Sequence, residues 1–317
     1  MKFAIIGIDT PNSVEVKLTK ALKNLGHSVY LLSRDEIVKR YCPTVFKLSY
    51  HLTMKYPIDL REILPMDVYD MIIICHNDFV FNNPQNSSTK VLYIHRDMLT
   101  YPSCFNPDIL AYNYPNRDHI FWHFYPQLWH TPNKIYIHMA VDPEEFNPHR
   151  EKDLTGLNYV PVKTSFSTLH DKHNDFFWDF IDKELTDQEE LYCSNGFVRV
   201  NGGDHANYKE YKDYLERSEA FIHLSYSVFY GGRRVLESAA CNTLAVIRVN
   251  NEEASKYYEE LGFEINVNCL MFGINPPIID NYRECEEYYE YTENAYNLVL
   301  ERHTYDNRAQ QITELIE

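Results

Sequence analysis

No stretch of this chain approaches the roughly 20 uninterrupted apolar residues that a membrane-crossing helix requires. The opening Met1 to Gly7 has the length and pattern of a strand, not of a signal peptide. A cytoplasmic protein with no membrane span is the expectation. CxxC pairs are also missing: Cys42, Cys75, Cys104, Cys193, Cys241, Cys269 and Cys285 are odd in number and widely spaced. Neither a disulfide framework nor a zinc site is indicated, and ordinary, mostly buried thiols are expected. His119, His123, His130 and His138 show no metal-ligand spacing. There is no internal repeat and no low-complexity segment.

Positive charge is short as well, with a formal net charge of -16. The deficit is uneven. Residues 1–150 hold 15 Lys plus Arg against 15 Asp plus Glu, so the rest of the chain holds 15 basic against 31 acidic side chains. An evenly acidic surface would argue against a polyanionic partner. From Pro11 to Arg61, however, nine basic residues (Lys17, Lys20, Lys23, Arg34, Lys39, Arg40, Lys47, Lys55 and Arg61) face four acidic ones, Glu15, Asp35, Glu36 and Asp59.

What is present is apolar material, 44% of a 317-residue chain, enough for two cores. An ordinary α/β domain takes about 100 to 200 residues, so two domains are expected. Lys2 to Gly7 reads as a strand. Ser13 precedes a helical pattern of Val14, Val16, Leu18, Leu22 and Leu25 that stops at Gly26, and Val29 to Leu32 reads as the next strand. Strand, helix, strand opens a parallel, doubly wound sheet. The rhythm returns at Met71 to Cys75, Val91 to Ile94 and Ile135 to His138.

Between Val141 and Lys163 the pattern loosens into turn-rich Asp142 to Pro148, then Gly156 and Pro161, which reads as a linker. Strands at Val162 to Phe166, Phe197 to Val200, Ala220 to Leu224 and Leu244 to Val249 then alternate with helices at Asn174 to Leu185, Tyr208 to Arg217 and Arg233 to Cys241. The expected domains are residues 1–150 and 151–317. The charged helical tail from Arg283 either caps the second domain or crosses back to the first.

The chemistry concentrates between Ser225 and Ile247, where Gly231 and Gly232 lie between a strand and a helix. Glycines let a ligand approach the backbone closely, and the helix behind them presents unpaired N–H groups and a positive dipole end, which suits a diphosphate. Glu237 lies one turn further on, where a carboxylate can accept from two vicinal ribose hydroxyls. Arg233 or Arg234 can offset phosphate charge. The plainer reading is a turn followed by a solvated glutamate. In the first half, His95 and Asp97 stand at the carboxyl end of a predicted strand, as do His76 and Asp78 after the preceding one, where open α/β sheets bind ligands. Tyr112, Tyr114, Trp122, Tyr125 and Trp129 either stack on an acceptor or pack a loop.

Gly232, Glu237, Ala239, Ala240, Cys241 and Asn242 together resemble the donor-binding signature of retaining glycosyltransferases of the GT-B fold, family-4-like. His303, Thr304 and Tyr305, with Arg308 and Ala309, are similar to the ending of their spore-maturation-protein (CgeB-like) branch. Ile137 to Pro148 resembles the interdomain phrase of these enzymes. Two positions depart from the pattern. Phe229 stands where many relatives carry a second Glu, and Ser167 stands near the place of an Arg, leaving Lys172 as the remaining member of a basic pair.

The resemblance implies an α/β chain of GT-B type, with two Rossmann-like doubly wound parallel-sheet domains facing across a cleft. It implies transfer of a hexosyl or pentosyl group from a nucleoside diphosphate sugar, a UDP-sugar by expectation, to a hydroxyl, with retention and with no metal or other cofactor required. Lys172, Gly231, Gly232, Arg233, Arg234 and Glu237 would hold the donor, and His95 and Asp97 would serve at the transferred sugar. The acceptor is expected to be a glycan, a small molecule or a protein. The basic stretch admits DNA carrying a hydroxymethylated base as an alternative, or is simply the solvated face of two helices. A reading of a different class is an inactive nucleotide-binding or assembly protein that keeps the fold.

Overall fold

The computed structural model describes residues 1–41, 53, 56–75, 79–84, 87–95, 104–112, 131, 133–160, 197–201, 208–224, 232–249, 252–273, 284 and 286–316. It divides into two compact units, Met1–Ala140 with Thr304–Glu317, and Val141–His303. The strands among the described residues are β1 (Lys2–Gly7), β2 (Ser28–Ser33), β3 (Ile58–Asp59), β4 (Met71–Ile74), β5 (Phe81–Asn82), β6 (Lys90–His95), β7 (Cys104–Phe105), β8 (Ile109–Tyr112), β9 (Asn133–Tyr136), β10 (Leu154–Val160), β11 (Phe197–Asn201), β12 (Ser218–Leu224), β13 (Leu244–Arg248) and β14 (Leu270–Phe272). The helices are α1 (Val14–Asn24), α2 (Arg34–Tyr41), α3 (Leu60–Ile63), α4 (Tyr208–Arg217), α5 (Gly232–Ala240), α6 (Glu252–Glu260), α7 (Glu286–Arg302) and α8 (Tyr305–Glu314).

In the first unit the main sheet runs β2-β1-β4-β6-β8-β9, with every pairing parallel. β1 buries Phe3 to Ile6 and β4 buries all of Met71 to Ile74, the near-continuous apolar runs of strands covered on both faces. A side sheet joins the short β3, β5 and β7. Ser13 caps α1 by accepting from the Val16 N–H, and Gly26 follows the helix at φ +85°, a left-handed position that glycine takes without strain. The tail adds a second covering helix. Thr304 and Asn307 form a capping box at the start of α8, whose Tyr305, Ala309 and Ile312 join Phe3, Ile5, Leu18, Leu22 and Ile73 in one core.

The second unit has a five-stranded sheet, β11-β10-β12-β13-β14, again all parallel. Its inner strand β10 corrects the sequence reading, because Leu154–Val160 lies inside the stretch taken for a linker. Gly156 and Asn158 interrupt the apolar run there, yet Gly156 pairs with both Phe197 and Ala220. The expected strand Val162 to Phe166 and the helix Asn174 to Leu185 lie outside the described residues.

The turn-rich phrase ahead of β10 is fastened to this unit. The Val141 N–H donates to the His303 carbonyl at 2.9 Å. The Asn147 N–H donates to Glu216 Oε1 at 3.0 Å, and Arg150 reaches Glu216 and Asp213 at 2.9 and 2.6 Å. Lys152 Nζ donates to the Glu216 and Cys241 carbonyls and to Thr243 Oγ1, closing the ends of α4 and α5 together.

Candidate functional site

The chain of the second unit passes from β10 to β11 on one side, then returns to β12 on the other. Such a reversal leaves a crevice beyond the carboxyl ends of the two strands, where ligands of doubly wound sheets bind. β12 ends at Leu224 and α5 begins at Gly232, so the first turn of α5 stands beside this switch point.

Val235, Leu236, Ala239 and Ala240 bury the inner stripe of α5, and Glu237 is buried with them at 0% exposure. A bare carboxylate in such a place would be protonated; this one is surrounded by donors. Arg233 Nε donates to Oε1 at 2.9 Å, Arg234 Nη1 to Oε2 at 2.8 Å, and the Tyr211 hydroxyl to Oε2 at 2.9 Å. The i,i+4 and i,i+3 spacings put both arginines on the glutamate's side of the helix. Burial pushes the Glu237 carboxyl up, but Arg234 and Arg233 outweigh it and hold the group below its ordinary value. The Arg234 guanidinium also lies over the Tyr211 ring, 4.3 Å from its centroid. Among the described residues of this cluster, two guanidinium groups face the one carboxylate of Glu237, and their side chains are 30% and 27% exposed at the positive end of α5.

Gly232 is required for a steric reason. A Cβ there would lie 2.4 Å from the Tyr257 hydroxyl and 3.0 Å from Leu261 Cδ1. Its amide hydrogen-bonds that hydroxyl, so this N–H is engaged inside the protein. Tyr208 stands at the rim, its hydroxyl 3.4 Å from Glu145 Oε2; burial, then Glu237 and Glu145, hold its pKa well above the usual range.

Of the sequence-predicted residues, Gly232, Arg233, Arg234 and Glu237 are thus brought together. Gly231, Lys172 and Asp97 lie outside the described residues, as do His76, Ser167 and Phe229. His95 is at the carboxyl end of β6 in the first unit, fully buried and edge-on to Tyr93 at 5.6 Å. Of the aromatic cluster, Tyr112 packs 5.7 Å from Tyr136, and the other four members lie outside the described residues. The basic stretch of the first unit is partly consumed by the protein itself. Lys17 is buried over the Tyr305 ring, Arg40 donates to the Ile63 carbonyl and Tyr30 hydroxyl, and Arg61 pairs with Asp59. Burial pushes the thiols of Cys104, Cys241 and Cys269 up, the last to about 12, as befits packing residues.

Sequence reasoning missed Tyr211, Tyr257 and His223, which α4, α6 and β12 bring to the first turn of α5. For His223 the sequence carries one signal, its position near the carboxyl end of the strand read at Ala220 to Leu224.

Residues 175–314, which include α5 and the whole cluster around Glu237 except the linker residue Glu145, match a family described as glycosyl transferase-like. No curated protein matches the chain. Among solved structures, Anabaena HepE in complex with UDP and glucose is similar at 14% identity, covering 100% of this chain and 99% of that one with a TM-score of 0.56. A glycosyltransferase from Rickettsia africae aligns at 11% identity over 99% and 97% of the two chains, with a TM-score of 0.53. The N-terminal domain of a trehalose-6-phosphate phosphatase from Candida albicans aligns at 11% identity over 99% and 98%, with a TM-score of 0.54. At these identities the likeness defines the fold: an α/β chain of GT-B type with two Rossmann-like parallel-sheet units. The match to the glycosyl transferase-like family covers most of the second unit.

Proposed function

We propose that the chain is a glycosyltransferase that takes a sugar from a nucleoside diphosphate, UDP by first choice, and passes it to an acceptor hydroxyl with retention and without a metal. The observation that carries this reading is the cluster at the start of α5, where a buried, ionised Glu237 is flanked by two partly exposed arginines. It lies within the segment that matches the glycosyl transferase-like family, and HepE, of like fold, was crystallised with UDP-glucose.

In this reading Arg233 and Arg234 meet the diphosphate. Breaking the bond from the sugar's anomeric carbon to the phosphate oxygen places new negative charge on that oxygen, and fixed cations lower the barrier to its departure. Glu237 accepts from the ribose hydroxyls. Three protein donors already use its oxygens, so a ribose hydroxyl takes the remaining acceptor position or displaces one of them. Lys172 and the Gly231 amide add donors to the diphosphate, and His95 and Asp97 orient the sugar. The acceptor is a glycan, small molecule or protein hydroxyl. The internal partners of Lys17, Arg40 and Arg61 weigh against a DNA acceptor.

Incubation with a panel of nucleotide-sugars tests the proposal. Slow release of a nucleoside diphosphate from at least one donor is expected, and NMR of a transferred product reads the anomeric configuration. Absence of binding and turnover with every donor would instead support an inactive assembly protein.

A further inference from the structure

Every polar group described above at the first turn of α5 has a protein partner save one. His223 stands at the carboxyl end of β12, level with Ile247 of β13, and is 8% exposed. Its ring stacks beside Phe221 and meets Tyr258 edge-on, each with centroids 6.1 Å apart. Its Nε2 is buried and has no hydrogen-bond partner among the described residues. Buried polar atoms of folded proteins are nearly always partnered, and leaving one unpartnered costs about 1–3 kcal/mol. An apolar ring would fill this place without that cost. The imidazole is also kept neutral: burial, then the neighbouring Arg234 guanidinium, lower its pKa to about 4. At neutral pH it therefore has one N–H to give and one lone pair to offer.

We propose that His223 is a further donor-binding residue, whose Nε2–H donates to an oxygen of the nucleotide's diphosphate. Three placements converge on that ligand. The ring is at the strand end beside the switch point, its strand leads into the nine-residue helix α5, and the Arg234 guanidinium of that helix acts on it electrostatically and draws in anions. A neutral donor beside a cation suits a phosphate oxygen, which accepts from both, whereas a second cation would be repelled by Arg234. The inference rests on the nucleotide-sugar reading of the same site.

Calorimetric titration with UDP and with uridine tests it, using wild type, His223→Phe and His223→Gln. Phe keeps the ring and removes both nitrogens; Gln keeps an N–H. His223→Phe is expected to melt at or above the wild-type temperature, to bind uridine as wild type does, and to bind UDP about tenfold more weakly, the loss of one charge-assisted hydrogen bond. His223→Gln should recover most of the UDP affinity. Should Phe overpack, the smaller His223→Leu gives the same comparison. Unchanged UDP affinity in the apolar variants overturns the inference, as does an equal loss for uridine, which marks a packing defect. Failure of the wild type itself to bind UDP would overturn the reading of the site instead.

Discussion

Glu237 carries its charge in an interior that would suppress it, and it does so because Arg233, Arg234 and Tyr211 converge on the carboxylate. Glu237→Ala therefore does more than remove a ligand contact: it strips two arginines of their counter-charge. Because those arginines are about a third exposed, the cost falls below that of a fully buried pair, about 2–3 kcal/mol, read as a lower urea midpoint. Tyr211→Phe keeps the ring under Arg234 and loses the hydroxyl bond, which should cost about 1–2 kcal/mol and weaken donor binding severalfold. The pH response follows from the same neighbourhood. His223 has a folded pKa of about 4 against an ordinary 6.5, so the unfolded chain takes up its proton first. Its contribution is complete above pH 6.5 and falls as pH drops toward 4, by about 3 kcal/mol. Glu237, held below 4.5, adds a further loss as pH falls below that value. Urea melts of wild type between pH 7 and 4 should show the decline, and His223→Phe should flatten its upper part. A flat wild-type profile would contradict this electrostatic account.

The elements explain what the sequence discloses and what it hides. α1 was legible because a cap, a 3.6-residue apolar period and a stop glycine agree at Ser13, Leu18 and Gly26. β10 was hidden because Gly156 and Asn158 break its apolar run, although neighbours pair with it on both sides. The site divides in the same way. Gly232, Arg233, Arg234 and Glu237 fall within two turns of one helix, and local spacing exposes them. Tyr211, His223 and Tyr257 reach the same point from three other elements, a conjunction that only the sheet order creates. α5 itself is held by a close approach. Gly232→Ala would drive a methyl group into the Tyr257 hydroxyl and should cost about 1–3 kcal/mol. Adding Tyr257→Phe removes the nearest obstructing atom and should restore part of that loss in thermal melts; a purely additive double variant would contradict the contact.

At the scale of the whole molecule, the tail ties the chain's end to its beginning. His303 holds the second unit through Val141 and the Leu261 carbonyl, while Thr304 caps a helix that completes the first unit's core. Deleting residues 304–317 removes Tyr305, Ala309 and Ile312 from that core. At about 1.5–3 kcal/mol each for Tyr305 and Ile312, the loss is about 3–6 kcal/mol, which reaches the lower end of the stability of a whole domain. Hydrogen exchange in β1 and α1 of the truncated chain should rise to near the unfolded rate, and intact protection there would contradict the assignment of the tail. The central claim concerns the other unit, that the first turn of α5 receives a nucleoside diphosphate. A crystal soaked with UDP tests it most directly. The account predicts phosphate density within hydrogen-bond reach of Arg233 and Arg234 and ribose density at Glu237; nucleotide bound elsewhere, with this cluster unchanged, would contradict it.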